Sequence, residues 1–148
     1  MTQDGVVTKY TYDAMGNITQ ISENNEVERS YTYDALNQLT SETRDGVTET
    51  YTYDNGGNIL SRTRGGVTDT WSYESTLWKD LLTSYNGQAI TYDEIGNPLT
   101  YRDGMTMTWE HGRQLSTLTK DGGSISYTYN ADGVRTSKTV NGQTTEYI

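Results

Sequence analysis

YTYDAMGNIT, residues 10–19, is the stretch that decides the fold of this 148-residue chain, because copies of it return about every twenty residues. Clear copies are YTYDALNQLT (31–40), YTYDNGGNIL (51–60) and ITYDEIGNPLT (90–100), and weaker ones are WSYEST (71–76), MTWEHGRQLS (107–116) and YTYNADGVRT (127–136). One aromatic residue anchors each copy: Tyr12, Tyr33, Tyr53, Tyr73, Tyr92, Trp109 and Tyr129. We therefore predict a single array of about seven repeats over residues 1–148.

The first of two turn signals, a D-x-x-G sequence, directly follows three of the anchors, and variants of it follow others. It runs from Asp13 to Gly16, from Asp54 to Gly57 and from Asp93 to Gly96, and in the second copy it starts at Asp34. An Asp at the first position can accept hydrogen bonds from backbone amides two or three residues later, and Gly at the fourth tolerates positive φ. The sequence therefore predicts a type I turn followed by a bulge.

The second turn signal lies halfway through the repeat, as a pair of residues that favour positive φ. The pairs are Asn24-Asn25, Asp45-Gly46, Gly65-Gly66, Asn86-Gly87, Asp103-Gly104, Asp121-Gly122 and Asn141-Gly142. Such pairs are typical of two-residue hairpin turns. Each repeat is thus predicted to contain two short strands and two turns.

Alternation within the strands predicts two chemically different faces. Tyr31 and Tyr33 point to one side of the chain, and Ser30 and Thr32 point to the other. This period of two is typical of a half-buried antiparallel sheet. We predict an all-β fold of tandem antiparallel β-hairpin repeats of about twenty residues, forming an elongated or spiralling sheet, with the paired tyrosines as its core.

Residues 74–83 interrupt the repeat, because they lack the D-x-x-G turn and hold the densest apolar cluster of the chain. The segment is predicted to be a short helical turn or a plug that packs Trp78, Leu81 and Leu82 against the sheet. A role of these side chains in ligand binding is the alternative.

Composition excludes several classes of protein. A net charge of −9 argues against binding to nucleic-acid phosphates, and the chain lacks a long apolar run that could insert into a membrane. The absence of Cys removes disulfides and thiolate chemistry, and no signal peptide is visible at the N-terminus.

Catalytic and metal-binding residues are poorly represented. His111 is the only histidine and lies in a predicted exposed turn, and no D-x-D-x-D-G calcium loop occurs. We interpret the repeated aspartates as turn caps and predict no enzyme activity, cofactor or metal. Hydrolysis by paired carboxylates is a minor hypothesis, because nothing in the sequence singles out a pair.

A binding role is the main alternative to a structural one. Trp78, Trp109, Tyr85 and Tyr101 fall outside the regular tyrosine pairs, so they are the candidate ligand-binding residues of a carbohydrate-binding module. An aromatic cage for choline would use the same residue types.

The Y-x-Y-D-x-x-G-N unit resembles the RHS/YD-repeat family, named for the rearrangement hot spot proteins and their tyrosine–aspartate dipeptide. YTYDAMGN (10–17), YTYDNGGN (51–58) and TYDEIGNPLTY (91–101) carry the resemblance most clearly, and residues 78–101 resemble a variant unit of Gram-positive bacteria. The departures occur at turn positions, where Glu74, Glu110 and Asn130 replace the Asp and Asn37 replaces the Gly. They put the turn geometry in question more than the resemblance.

The resemblance implies a structural role in a larger protein. In that family long YD tracts form a strip of β-sheet that spirals into a hollow shell, which encloses a toxic C-terminal domain in toxins and serves adhesion in teneurins. We therefore expect a fragment of a bacterial secreted or cell-surface protein, whose partners are further repeats of the parent and an enclosed C-terminal domain. The family's autoproteolytic aspartate segment is not matched. The open sheet edges are also expected to promote self-association.

Overall fold

The computed structural model describes residues 2–3 and 5–147, which contain strands and turns but no helix, and therefore no helix that could cross a membrane. The strands are β1 (Thr2–Gln3), β2 (Val6–Tyr12), β3 (Ile18–Glu23), β4 (Glu26–Tyr33), β5 (Leu39–Arg44), β6 (Val47–Tyr53), β7 (Ile59–Arg64), β8 (Val67–Ser72), β9 (Ser84–Tyr85), β10 (Gln88–Ala89), β11 (Thr100–Tyr101), β12 (Met105–Glu110), β13 (Gln114–Lys120), β14 (Gly123–Tyr129), β15 (Arg135–Val140) and β16 (Gln143–Glu146).

The chain divides into two compact units, Met1–Trp71 and Ser72–Ile148. In the first unit β1 to β8 lie in chain order, and each strand pairs antiparallel with the next. In the second unit β9 and β10 form a short hairpin, and β11 to β16 form a six-stranded antiparallel sheet in chain order. The predicted all-β class and its tandem hairpins are confirmed, and neither run of strands closes on itself.

The mid-repeat turns have the geometry that their sequences predict. Both residues of each pair have positive φ, for example 51° at Asp45 and 73° at Gly46, as a type I′ turn requires. The flanking residues Arg44 and Val47 then pair directly. The turn at Asp103-Gly104 is one residue longer, because there Tyr101 pairs with Met105.

The D-x-x-G turns and their variants join the other ends of the strands, and in five repeats a bulge lies next to the turn, with the extra residue on the strand that follows the turn. In the first of them Gly16 N donates to Asp13 O at 3.2 Å, and Gly16 has φ of 90°. The bulges lie between Thr11 and Tyr12, Thr32 and Tyr33, Thr52 and Tyr53, Thr108 and Trp109, and Thr128 and Tyr129. An extra residue on one strand re-aims the anchor aromatic without breaking the hairpin.

Residues 73–83 form neither strand nor helix. The chain makes a single turn there, in which Leu81 N donates to Trp78 O at 3.0 Å. Thr83 then returns to the sheet, donating from its backbone N to Ser72 O at 2.7 Å. The irregular segment is thus an insertion between two regular hairpins.

Burial is shallow throughout the described residues. The buried side chains among them are those of Ile90, Asn97 and Ser137. The paired tyrosines are half-buried, and Tyr12 in the first repeat is 58% exposed. They therefore form one half-buried face of a sheet, as the alternation of residues predicts, and none of them is fully buried.

The opposite face is held together by hydroxyl groups. Ser and Thr side chains of paired strands bond to each other, as in Thr52–Ser61 at 2.6 Å and Thr63–Thr68 at 2.8 Å. The same pairing recurs in the second unit between Thr108 and Thr117 at 2.6 Å. Cross-strand hydroxyl pairs of this kind stabilise a sheet without an apolar cover.

Candidate functional site

The anchor aromatics form the most regular set of contacts between repeats. Five of the seven anchors donate a hydrogen bond from the ring hydroxyl or indole nitrogen to a backbone carbonyl of the preceding repeat. The pairs are Tyr33 Oη to Ile18 O (2.9 Å), Tyr53 Oη to Leu39 O (2.8 Å), Tyr92 Oη to Leu82 O (2.6 Å), Trp109 Nε1 to Pro98 O (2.7 Å) and Tyr129 Oη to Leu115 O (3.0 Å). We call these the inter-repeat aromatic bonds.

Burial favours the protonated state that these bonds need. It raises the pKa of Tyr33, Tyr53 and Tyr92 above the ordinary tyrosine value, and the nearby carboxylates of Asp13 and Asp34 add to this at Tyr33 and Tyr53 respectively. The hydroxyls therefore remain donors at neutral pH. The anchor aromatics join repeats to one another and do not offer a nucleophile.

The repeated aspartates are committed to their own turns. Asp13 Oδ1 accepts from the backbone N of Met15 at 2.9 Å and of Asn17 at 2.8 Å, and its Oδ2 accepts from Asn17 Nδ2 at 3.0 Å. Asp34, Asp54 and Asp93 accept the corresponding two amide bonds. The capped amides thus lie two and four residues after the Asp.

These bonds stabilise the charged form of the carboxylates. Hydrogen bonds from the Asn17 and Asn58 side chains lead the causes that hold the pKa of Asp13 and Asp54 below the ordinary aspartate value. At Asp93 burial is the largest influence and acts upward, but the bonds from Asn97 and neighbouring amides outweigh it and lower the pKa. With both oxygens occupied, the aspartates are poorly placed to act as general bases or metal ligands.

The residue after the D-x-x-G turn ties that turn to the next one. Asn17 Nδ2 donates to Asn37 Oδ1 at 2.8 Å in the first unit, and buried Asn97 donates from Nδ2 to Gly112 O at 2.6 Å in the second. Arg113 Nη2 adds a bond to Ile95 O at 3.0 Å. Successive turns therefore stack along one edge of the strands, a contact that the sequence analysis did not predict.

The aromatic face of the first unit also carries a row of ion pairs. Arg62 lies 3.3 Å from Glu49 and 2.8 Å from Asp69, and Arg29 lies 3.4 Å from Glu42. These are cross-strand neighbours, and their side chains are partly exposed. The alternating charges could have been read from the sequence, since they occupy the same face as the tyrosine pairs.

Trp78, the leading candidate for ligand binding, packs on the turn of Asp93 to Gly96. A methyl group at Gly96 would lie 2.7 Å from Trp78 Cζ3, so the ring covers the glycine directly. The indole remains 51% exposed, and Leu77 beside it is 98% exposed. Trp78 therefore packs on the D-x-x-G turn, where the prediction placed it against the sheet together with Leu81 and Leu82, and part of its ring faces solvent.

The other three aromatic candidates are engaged within the chain. Arg102 places its guanidinium 5.0 Å from the ring centre of Tyr85 and 5.6 Å from that of Tyr101, and Trp109 is one of the inter-repeat aromatic donors. The structure brings Tyr85 and Tyr101 together around Arg102, a residue that the sequence analysis did not single out. Their geometry lends no support to a shared glycan platform, which stays a prediction.

A chain of hairpins in which five anchor aromatics bond to the preceding repeat belongs to the class of tandem β-repeat scaffolds. The model of the teneurin YD-shell family matches residues 3–148. The chain therefore belongs to the YD-shell family, which confirms the resemblance seen in the Tyr-Asp motifs.

Relatives and solved structures agree with this assignment. The chain is 36% identical over 153 residues to the tRNA nuclease WapA of Bacillus subtilis (strain 168), covering 99% of the chain and 5% of that protein. It resembles the Photorhabdus luminescens Tc holotoxin pore (TM-score 0.61, 22% identity, 88% of this chain and 8% of that chain). It also resembles the crystal structure of TcdB2-TccC3-TEV (TM-score 0.61, 23% identity, 95% of this chain and 10% of that chain).

The two structural similarities establish the shared fold, and the chain spans a tenth or less of each protein compared. It is a YD-shell repeat region similar to those of toxin proteins. Its match to WapA covers a small part of a protein named for nuclease activity.

Proposed function

We propose that this repeat region forms part of the wall of a β-shell, which encloses or displays a toxin or effector domain of a large bacterial protein. The observation that carries the proposal is the set of inter-repeat aromatic bonds, which recur from Tyr33 to Tyr129 and join five anchor residues to the repeats that precede them. A wall needs such repeat-to-repeat contacts and needs no reactive group. The proposed role is therefore structural and not enzymatic.

The proteins compared support this role by their names. One is a Tc holotoxin pore, and another is a tRNA nuclease of which this chain matches about a twentieth. Because the match covers only a small part of the nuclease, it is consistent with a wall segment that is separate from the domain that carries the nuclease activity. By the same analogy we place the parent protein outside the cell or at its surface.

Photo-cross-linking from the two faces of the sheet tests the proposal. A photoreactive amino acid is placed at Val47, on the aromatic face, or at Thr50, on the hydroxyl face, in the full-length gene product. If the sheet is a wall, the enclosed domain is cross-linked from one face only, and the other position serves as the matched control. Equal cross-linking from both positions, or from neither, contradicts enclosure.

Self-association is a second property expected of an open strip. The terminal strand β16 is exposed along its length and pairs only with β15 among the described strands. Such an edge can pair with another chain. Light scattering of the 148-residue chain over a concentration series should show a rising mass, and a constant monomer mass contradicts the expectation.

A further inference from the structure

A small cavity of about 200 Å³ lies on the aromatic face of the first unit, beside the mid-repeat turn Asp45-Gly46. Its lining residues are Arg29, Glu42, Arg44, Val47, Glu49 and Arg64. We call it the Arg29–Arg64 pocket. Sites for organic ligands usually measure roughly 300–1,000 Å³, so this one suits an ion or a small charged group.

The register of the strands brings the charged residues of the pocket together. Arg29 on β4 pairs with Arg44 on β5. In the neighbouring row Glu42 on β5 pairs with Glu49 on β6, and Glu49 pairs in turn with Arg64 on β7. Residues that are directly opposed in an antiparallel sheet lie on the same face. The pocket therefore draws its charges from four consecutive strands.

This register places two like charges directly opposite each other. Arg29 faces Arg44, an arrangement that destabilises a sheet. Arg29 has Glu42 as a partner at 3.4 Å, whereas the carboxylate beside Arg44 is that of Asp45, which lies on the turn at 3.3 Å and is 75% exposed. An exposed pair of this kind contributes little. An anion held between the two guanidinium groups would therefore relieve a repulsion that these ion pairs compensate only in part.

The depth of the charged groups also favours an anion. The side chains of Glu42 and Glu49 are 25% and 16% exposed, whereas those of Arg44 and Arg64 are 60% and 67% exposed. A solute that approaches from solvent thus meets the guanidinium groups before the carboxylates. Three arginines against two glutamates leave the lining with one net positive charge, although the whole chain carries −9. Because salt screens charges that are more than about 8–10 Å apart, the local excess decides which solute is attracted.

Guanidinium chemistry narrows the kind of anion. Each arginine offers five N–H donors in a planar fork that matches the oxygens of carboxylates and phosphates. A carboxylate brings one charge and two oxygens, which Glu42 and Glu49 already supply within the pocket. A phosphate group brings about −1.5 to −2 charges near pH 7 and three strong acceptor oxygens. It can therefore bridge guanidinium groups that come from different strands.

We propose that the Arg29–Arg64 pocket binds a phosphate group, as inorganic phosphate or as a phosphate monoester, through the guanidinium groups of Arg29, Arg44 and Arg64. The bound anion lies between the opposed arginines and links β4, β5 and β7. Glu42 and Glu49 lie 3.4 Å from Arg29 and 3.9 Å from Arg64 respectively, so they compete with the anion for these arginines. The site does not depend on whether the chain encloses another domain.

Phosphorus NMR on the 148-residue chain measures the binding of inorganic phosphate and of methyl phosphate at constant ionic strength, which is set with chloride. Acetate, followed by competition, is the carboxylate comparison. We expect saturable binding of phosphate in the millimolar range, because the arginines are partly exposed and salt screens them, and weaker binding of acetate. Binding of inorganic phosphate alone identifies the free ion as the ligand. Equal binding of methyl phosphate extends the site to phosphate esters.

Two substitutions of Arg44 test the arginine that has the weakest ion pair. Arg44→Gln should weaken phosphate binding by about three- to tenfold, and Arg44→Lys, which keeps the charge but loses the planar fork, by a smaller factor. Glu42→Gln should instead tighten binding by about two- to fivefold, because it removes a carboxylate that competes for Arg29. Lys138→Gln is the matched control, since it removes one positive charge from the aromatic face of the second unit, outside the pocket.

Thermal unfolding of each variant separates lost binding from lost structure. Absence of saturable binding by either phosphate compound overturns the proposal, and so does binding of acetate as tight as that of phosphate. Equal weakening in Arg44→Gln and Lys138→Gln would show a response to net charge alone and overturns it as well. Weaker binding in Glu42→Gln, in a variant that melts like the wild type, also contradicts it.

Discussion

The regular repeats of residues 10–64 and the irregular region of residues 73–113 are built from related sequence but differ in what their side chains do. In the regular repeats equivalent positions take equivalent roles: Tyr33 and Tyr53 join repeats, the aspartate after each anchor caps its turn, and threonines pair on the opposite face. In the irregular region side chains take individual roles, such as Trp78 on Gly96 and Arg102 between two tyrosines. The repeated sequence thus produces the same contacts in each regular repeat. Contacts that occur once, such as that of Trp78 with Gly96, lie in the region where the repeat is interrupted.

The largest effect should come from Gly96→Ala, which breaks the contact that distinguishes the irregular region. Gly96 has φ of 86°, which costs an L-residue about 1–2 kcal/mol, and the new methyl would lie 2.7 Å from Trp78 Cζ3. Displacing the ring adds about 1–3 kcal/mol, so we expect a total loss of roughly 2–5 kcal/mol in the free energy of unfolding. Urea unfolding followed by tryptophan fluorescence measures it.

Gly16→Ala is the control from the regular repeats. Gly16 has nearly the same φ, 90°, but nothing lies within 4 Å of the added methyl. It should therefore show the backbone cost of about 1–2 kcal/mol alone. Equal losses in the two variants would mean that Trp78 does not pack on Gly96 in solution.

An intermediate effect is expected from Tyr53→Phe, which removes one inter-repeat aromatic bond and leaves the ring in place. The carbonyl of Leu39 loses its 2.8 Å donor at a partly buried position, so the free energy of unfolding should fall by about 1 kcal/mol. Thermal and urea unfolding measure the loss.

Tyr12→Phe provides the comparison at the first repeat, where the ring is 58% exposed and its hydroxyl has no hydrogen-bond partner among the described residues. This variant should change stability by less than about 0.5 kcal/mol. An equally large loss of stability in Tyr12→Phe and Tyr53→Phe would contradict the prediction. It would mean that the tyrosine hydroxyl stabilises the protein for a reason other than the inter-repeat aromatic bond.

The sequence predicts the parts of this fold that are decided locally. Asp45-Gly46 specifies its hairpin turn because both residues must adopt positive φ, and Asp13 caps its turn through amides only two and four residues away. The acceptor of Tyr53 could not be predicted, because it depends on how far one repeat is shifted against the next. Arg102 and Arg135 were missed for a similar reason, since the reach of a long side chain depends on which tyrosines lie across the sheet.

The smallest effect is expected in the pH dependence of stability. It compares turns that are capped by an aspartate, which can titrate, with a turn that is capped by an asparagine, which cannot. The pKa of Asp54 is lowered in the folded chain, first by the Asn58 side chain and then by backbone amides. A carboxyl with a depressed folded pKa stabilises the protein above its unfolded pKa, near 3.8, and this contribution is lost as the pH falls through the folded value. Asp54→Asn should therefore flatten the decline in stability below about pH 4, measured by urea unfolding at a series of pH values.

The seventh repeat offers the reverse change, because Asn130 accepts the same two amide bonds as Asp54 but cannot titrate. Asn130→Asp should add pH dependence over the same range in which Asp54→Asn removes it, since a charged acceptor strengthens bonds from amides. If Asn130→Asp instead leaves the pH profile unchanged while Asp54→Asn flattens it, the amide bonds alone do not lower the aspartate pKa. The Asn58 side chain, whose counterpart in the seventh repeat is Val134, would then be the decisive donor.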